Sequence, residues 1–272
     1  MNNKISKIAF FFIVSFILLL SFLLIYKTSI YDLFSREDNL AEYLSALFLL
    51  LSSFLFLKSL ISLILQKKNS NKWIMILLSF TAIILFLAAG EEISWGQRIF
   101  DIPTPEYLLK INDQNELNFH NINKRFFDRI LDRLTIIFVI VGSIYFLKNK
   151  NKILGLKAPN LYVICAFSIT PFYRQNLELN FLHIIYLPLI IILIYSLIKK
   201  IKNNIKPIII TLIMTFIIQF IHTKFGYLFP SSNNSANEFK EFMFCLCILI
   251  YSYEIMNEII TEKKAFANTV YN

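Results

Sequence analysis

Residues 8–26 read IAFFFIVSFILLLSFLLIY, nineteen positions without one charged side chain. An α-helix crosses a hydrocarbon core of roughly 30 Å in about 20 residues, so a run of this length is a membrane-crossing candidate. Lipid offers no water to unpaired backbone groups, which leaves helices and closed barrels as the possible spanning structures. Barrel strands alternate polar and apolar residues. This run and those after it do not alternate, and the chain is expected to be all-α.

Eight apolar segments follow this logic, at about 8–26, 40–65, 73–90, 134–147, 161–173, 179–198, 207–224 and 239–257. They predict a single integral membrane domain over residues 1–272, a polytopic bundle of about eight spans. The fifth is short, and Pro171 closes it, as a ring lacking a backbone N–H ends a helix. The first follows Lys4 and Lys7, as a signal peptide would. Its apolar stretch is long, and Tyr26-Lys27-Thr28 has no small-residue cleavage pattern, so a retained helix is expected. Composition agrees: 57% of residues are hydrophobic and 17% charged, against roughly 25% charged in soluble domains.

The formal net charge of +9 would suggest a nucleic-acid partner in a soluble protein. Here the lysines fall in alternate inter-helical segments, which fixes orientation instead. With the N-terminus inside, the inner segments carry Lys4 and Lys7, the 67–72 and 148–157 groups, the 199–206 group, and Lys263 and Lys264. Short outer loops carry fewer. This bias predicts both termini in the cytoplasm and no nucleic-acid partner, while the richness in Ile, Lys and Asn and the lack of sorting signals fit a bacterial inner membrane. The three cysteines, Cys165, Cys245 and Cys247, all lie in apolar runs and are expected to be buried thiols.

The acidic residues are sided in the opposite sense. Of 18 Asp and Glu, only Glu254, Glu258 and Glu262 fall towards the inner end. Acidic residues contribute little to orientation, so insertion does not explain this. Glu37, Asp38 and Glu238 suit helix first turns through the macrodipole. Glu42 and Glu241 lie deeper, where intramembrane ionisable groups point to function.

The densest polar string is Gly90-Glu91-Glu92-Ile93-Ser94-Trp95-Gly96-Gln97-Arg98, at the outer end of the third span. If the helix continues, Glu91, Trp95 and Arg98 share one face. The plainer account pairs Glu91 with Arg98 and anchors Trp95 at the interface. The functional one makes Glu91, Glu92 and Arg98 catalytic, with Trp95 and Gln97 on the substrate. Residues 99–133 then form an extracytoplasmic polar segment, with a short helix opened by Thr104 as N-cap and Pro105 at the first helical position. Within it stands Asn112-Asp113-Gln114-Asn115-Glu116-Leu117-Asn118-Phe119-His120-Asn121. In an extended chain, Gln114, Glu116, Asn118 and His120 lie on one side. In a helix, Glu116 and His120 are neighbours that could hold one metal ion. An Asn-rich solvated turn is the simpler alternative.

The three histidines, His120, His183 and His222, fall on the same predicted side. With spare carboxylates they could assemble a site for a divalent metal such as zinc. Arg174 adds a cation for a phosphate or carboxylate.

The strings GEEISWGQRIF and N-x-Q-x-E-x-N-x-H-N, over about 90–121, resemble an uncharacterised family of bacterial polytopic membrane proteins. The resemblance implies that Glu91, Glu92, Trp95, Gln97, Arg98, Gln114, Glu116, Asn118 and His120 are its defining positions, and implies no activity. The adjacent glutamates are also similar to the Glu-Glu-x-x-x-Arg of intramembrane CAAX-type proteases. Here Gly96 stands at the arginine position, and no histidine has phenylalanine four residues before it. A three-histidine site in a helix bundle is similar in idea to alkaline-ceramidase-like hydrolases, whose paired-histidine motif is missing.

Three functions follow. The first is a metal-dependent hydrolase or transferase acting on an envelope lipid or lipid-linked substrate. The second is a non-catalytic scaffold docking through 99–133. The third is a small-solute transporter, against which stands the scarcity of charge within the helices.

Overall fold

A computed structural model describes residues 4–27, 29–31, 40–65, 72–112, 116–172, 183–225 and 235–270. Its principal helices are α1 (Lys4–Tyr26), α2 (Leu40–Leu65), α3 (Lys72–Glu92), α4 (Gln97–Phe100), α5 (Glu106–Leu109), α6 (Lys124–Leu147), α7 (Leu161–Ile169), α8 (Tyr186–Ile198), α9 (Lys202–Phe225) and α10 (Ser235–Val270). A two-stranded hairpin, β1 (Lys152–Ile153) and β2 (Leu156–Lys157), links α6 to α7. Its turn, Leu154-Gly155, has positive φ at both residues (50° and 86°), the geometry that matches the twist of a two-residue hairpin.

Among the described residues, six helical segments are long and apolar enough to cross a membrane: α1, α2, α3, Arg129–Leu147 of α6, α9, and Ala236–Glu262 of α10. Two shorter apolar helices, Leu161–Phe172 and His183–Ile198, occupy the fifth and sixth predicted spans. Large apolar side chains such as Phe12, Phe22, Phe80, Phe86 and Phe216 stand more than half exposed. Water would penalise so much contiguous apolar surface, whereas lipid accommodates it. The chain is a multi-pass helical membrane protein.

Two helices extend beyond the apolar runs that announce them. The predicted fourth span begins at 134, yet α6 starts a full ten residues earlier. Its N-cap is Asn123, whose side chain accepts from the Phe126 amide at 3.2 Å. The last helix continues past the predicted 257 to Val270. Both extensions are polar and amphipathic, so hydropathy alone does not reveal them.

Packing depends on small residues. On α2, Ser45, Ser52 and Ser59 recur every seven residues and are buried, each donating to the carbonyl four residues back (2.7–2.9 Å). With their hydroxyls satisfied in this way, they let neighbouring backbones approach, as small residues do between membrane helices. Ser53 donates across to the α3 carbonyl of Ala82 at 2.8 Å. As a result α2 lies closely against both α3 and α10. Helix α7 has a different role: from Val163 to Ile169 every residue is buried, enclosed by α1, α6, α9 and α10.

Candidate functional site

Helix α3 stops at Glu92, before the turn that the helical reading of the motif needs to bring Arg98 onto the face of Glu91. Ser94 and Trp95 take left-handed backbone angles (φ 46° and 55°) and Gly96 follows at 77°. Non-glycine residues seldom occupy this region, so three in a row mark a sharp change of direction. The turn folds Trp95 back onto the helix. Its Nε1 donates to Glu91 Oε1 at 2.8 Å, and its ring lies where a Cβ on Gly90 would sit, with Cζ3 2.8 Å away.

The reversed chain then meets the second polar string. Ser94 Oγ and Asn118 Nδ2 each donate to Glu116 Oε2 at 2.7 Å, and Asn118 also donates to Ser94 Oγ at 3.0 Å. The Phe119 amide donates to Glu91 Oε2 at 2.6 Å. Gln97 uses both ends of its amide: Oε1 accepts from the Leu117 amide at 2.6 Å, while Nε2 donates to Thr104 Oγ1. That bond occupies the Thr104 hydroxyl predicted to cap a helix, and Pro105 takes the N-cap position of α5 instead. Asn112 donates to the carbonyls of Glu116 and Asn118 (3.0 and 2.8 Å) and closes the loop from within.

Ser94, Gln97, Asn112, Glu116 and Asn118 are all buried. Glu116 and Asn118 face inward and Phe119 is exposed, the alternation expected of an extended chain. The two motifs, joined by hydrogen bonds between residues 20 to 28 apart in sequence, thus form one cross-braced cap. The cap turns apolar side chains outward: Ile99, Phe100, Tyr107, Ile111 and Phe119 are each at least half exposed.

Sequence reasoning missed a buried ion pair at the same end of the bundle. Lys240, early in α10, lies 3.8 Å from Asp132 of α6, and both side chains are almost wholly buried. Glu92 of α3 and Glu241 of α10 come within electrostatic reach of the Cys245 thiol, which also bonds Ser45 of α2. Charged side chains from α3, α6 and α10 therefore lie at this end of the bundle. The one available signal was Lys240 itself, a lone basic residue between Glu238 and Glu241.

The chain matches no family model, curated protein or solved structure.

The histidines are placed unequally. His183 is exposed and stacks on Tyr186, with ring centroids 5.8 Å apart. The side chains of His120, His222 and Arg98 lie outside the described part, as do Gln114 and Arg174 entirely. Among the described residues no group of three His, Cys, Asp or Glu comes together as a metal ligand set. All three cysteines are free and buried.

Proposed function

We propose that the capped end is a binding site for the polar head of a membrane lipid or lipid-linked compound, and that the protein is a hydrolase or transferase acting there. The observation that carries this reading is the buried Lys240–Asp132 pair between α6 and α10 at this end of the bundle. Intramembrane charges are costly, and they persist where they line a substrate path or a reaction site. The exposed apolar row of the cap supports it further. Aromatic and aliphatic side chains at the end of a bundle suit the headgroup boundary, which a lipid can reach by lateral movement.

Glu91, Gln97, Glu116 and Asn118 brace the cap and act as positioning residues. Glu92 takes the role of general base towards an attacking water or hydroxyl. Arg98 and Arg174 supply cations for a phosphate or carboxylate. In a metal-dependent form of this chemistry, His120 with His183 or His222 would hold a divalent ion such as zinc, and the ion would supply activation of water.

The lysine distribution supports eight crossings with both termini cytoplasmic, in a bacterial inner membrane, so the capped end faces outward. The resemblance of the two motifs to a bacterial polytopic family agrees with that location.

The test is the lipid profile of a host lacking the gene, complemented with wild type, Glu92→Gln or Glu91→Gln. Glu92→Gln should behave as the empty vector, and Glu91→Gln should retain partial function. Full complementation by Glu92→Gln would refute its role as base. Metal content of the purified protein, wild type beside His120→Ala, decides between the two forms. A near-stoichiometric ion lost in the variant assigns water activation to the metal.

A further inference from the structure

At the opposite end of the bundle lies a cavity of about 1080 Å³ that the outer-end reading does not use. The first turn of α7, the α6–α7 connection, the start of α1, the end of α8 and the start of α9 line it.

Four lysines line this space: Lys4 and Lys7 of α1, Lys150 after α6, and Lys157 of β2. Opposing them are Glu258, which also lines the cavity, and Glu254 behind the wall, 3.2 Å from the Lys157 ammonium. Glu262 is engaged elsewhere, 2.7 Å from Lys152. The cavity therefore keeps a net positive charge. Lysines that serve orientation alone need only lie on one side of the membrane. These come from three separate segments and converge on one hollow, with asparagine and tyrosine side chains between them.

The floor is held rigid. Asn160 caps α7 by accepting from the Tyr162 and Val163 amides (2.9 and 3.3 Å), and its Nδ2 donates to Ser6 of α1 and Glu254 of α10. Tyr251 of α10 donates to the Lys157 carbonyl at 2.6 Å, which fixes the hairpin edge. One asparagine thus ties three helices together beneath the lysines.

We propose that this cavity binds a phosphate-bearing anion, held by Lys4, Lys7 and Lys150. Ammonium groups are point-charge partners for phosphate, and basic pockets between helix ends bind anionic headgroups. The volume lies at the upper end of small-molecule sites, roughly 300–1,000 Å³, enough for a headgroup or a small phosphorylated solute. The proposal is independent of the reading of the capped end.

The full chain is reconstituted in phosphatidylglycerol or phosphatidylcholine nanodiscs, and detergent-solubilised protein is titrated with glycerol phosphate. Three proteins are compared: wild type, the K4A/K7A/K150A triple variant, and K199A/K200A/K202A, which removes equal charge at the same end outside the cavity lining. The expected result is that one of the two anions raises Tm of wild type and of the control triple by several degrees. The cavity triple should lose at least tenfold in affinity. Stabilisation by phosphatidylglycerol alone identifies a lipid headgroup, and a response to glycerol phosphate identifies a soluble ligand. Equal losses in both triples, or no response of the wild type to either anion, would overturn the proposal.

Discussion

The carboxylate of Glu91 accepts the Phe119 amide at 2.6 Å across 28 residues of sequence, while its other oxygen holds the Trp95 indole. One side chain therefore clamps the exit of a membrane helix to both the turn that leaves it and the loop that returns.

Glu91→Ala removes both acceptors at once. A charged acceptor bond contributes about 1.5–3 kcal/mol, and partial exposure places the combined loss towards the lower end. The expected outcome is a modest fall in Tm with much faster proteolysis within 97–123, since the loop is released without unfolding the bundle. Unchanged cleavage would show that Glu91 does not hold the loop.

Gly90→Ala separates local from global effects. Alanine is favoured over glycine in a helix by about 1 kcal/mol, yet its Cβ would meet the Trp95 ring at 2.8 Å. The indole is 42% exposed and can swing outward. Stability should change little while Trp95 loses its bond to Glu91. Emission recorded in a Trp73→Phe background, leaving Trp95 as the chain's one tryptophan, should shift to longer wavelength.

Lys240 and Asp132 call for a double-mutant cycle. Removing one partner of a buried pair costs about 3–5 kcal/mol because the other charge is left behind. Lys240→Met and Asp132→Asn should each lower thermal stability markedly in detergent. The double variant should recover part of the loss, through a coupling energy of the kind that contacting residues show. Strictly additive losses would mean that each charge is held by other groups.

Asn160→Ala should be among the most damaging single polar changes at the other end. It removes the cap of α7, about 0.5–2 kcal/mol, together with bonds to Ser6 and Glu254. Asn160→Asp should retain the cap but place a second carboxylate against Glu254, and should be no better. Thermal unfolding followed by circular dichroism ranks the three proteins.

The membrane class was legible because lipid demands long uninterrupted apolar runs, and 8–26, 40–65 and 73–90 are such runs. Beyond these runs hydropathy carries less information. The KRFFDRILDR stretch that opens α6 reads as loop because its charges are dense, although Asp132 is buried while Arg129 and Arg133 are exposed. The importance of 90–98 and 112–121 was visible from their polar density at a helix end. Their connection was not, because it rests on left-handed backbone at Ser94 and Trp95, residues with no marked preference for that region. Lys4, Lys7 and Lys150 were read for the side they mark, and only the bundle shows that they share a cavity.

The enclosure of α7 also sets an order of assembly. This helix is flanked by α1 and α6, made before it, and by α9 and α10, made after it. While the ribosome is still extending the chain, this short apolar helix has only half of its surroundings. It acquires its final walls when α9 and then α10 arrive. The packing of α7 is thus shared between segments that precede it and segments that follow it in the chain, so its apolar surface is covered fully only once α10 is in place.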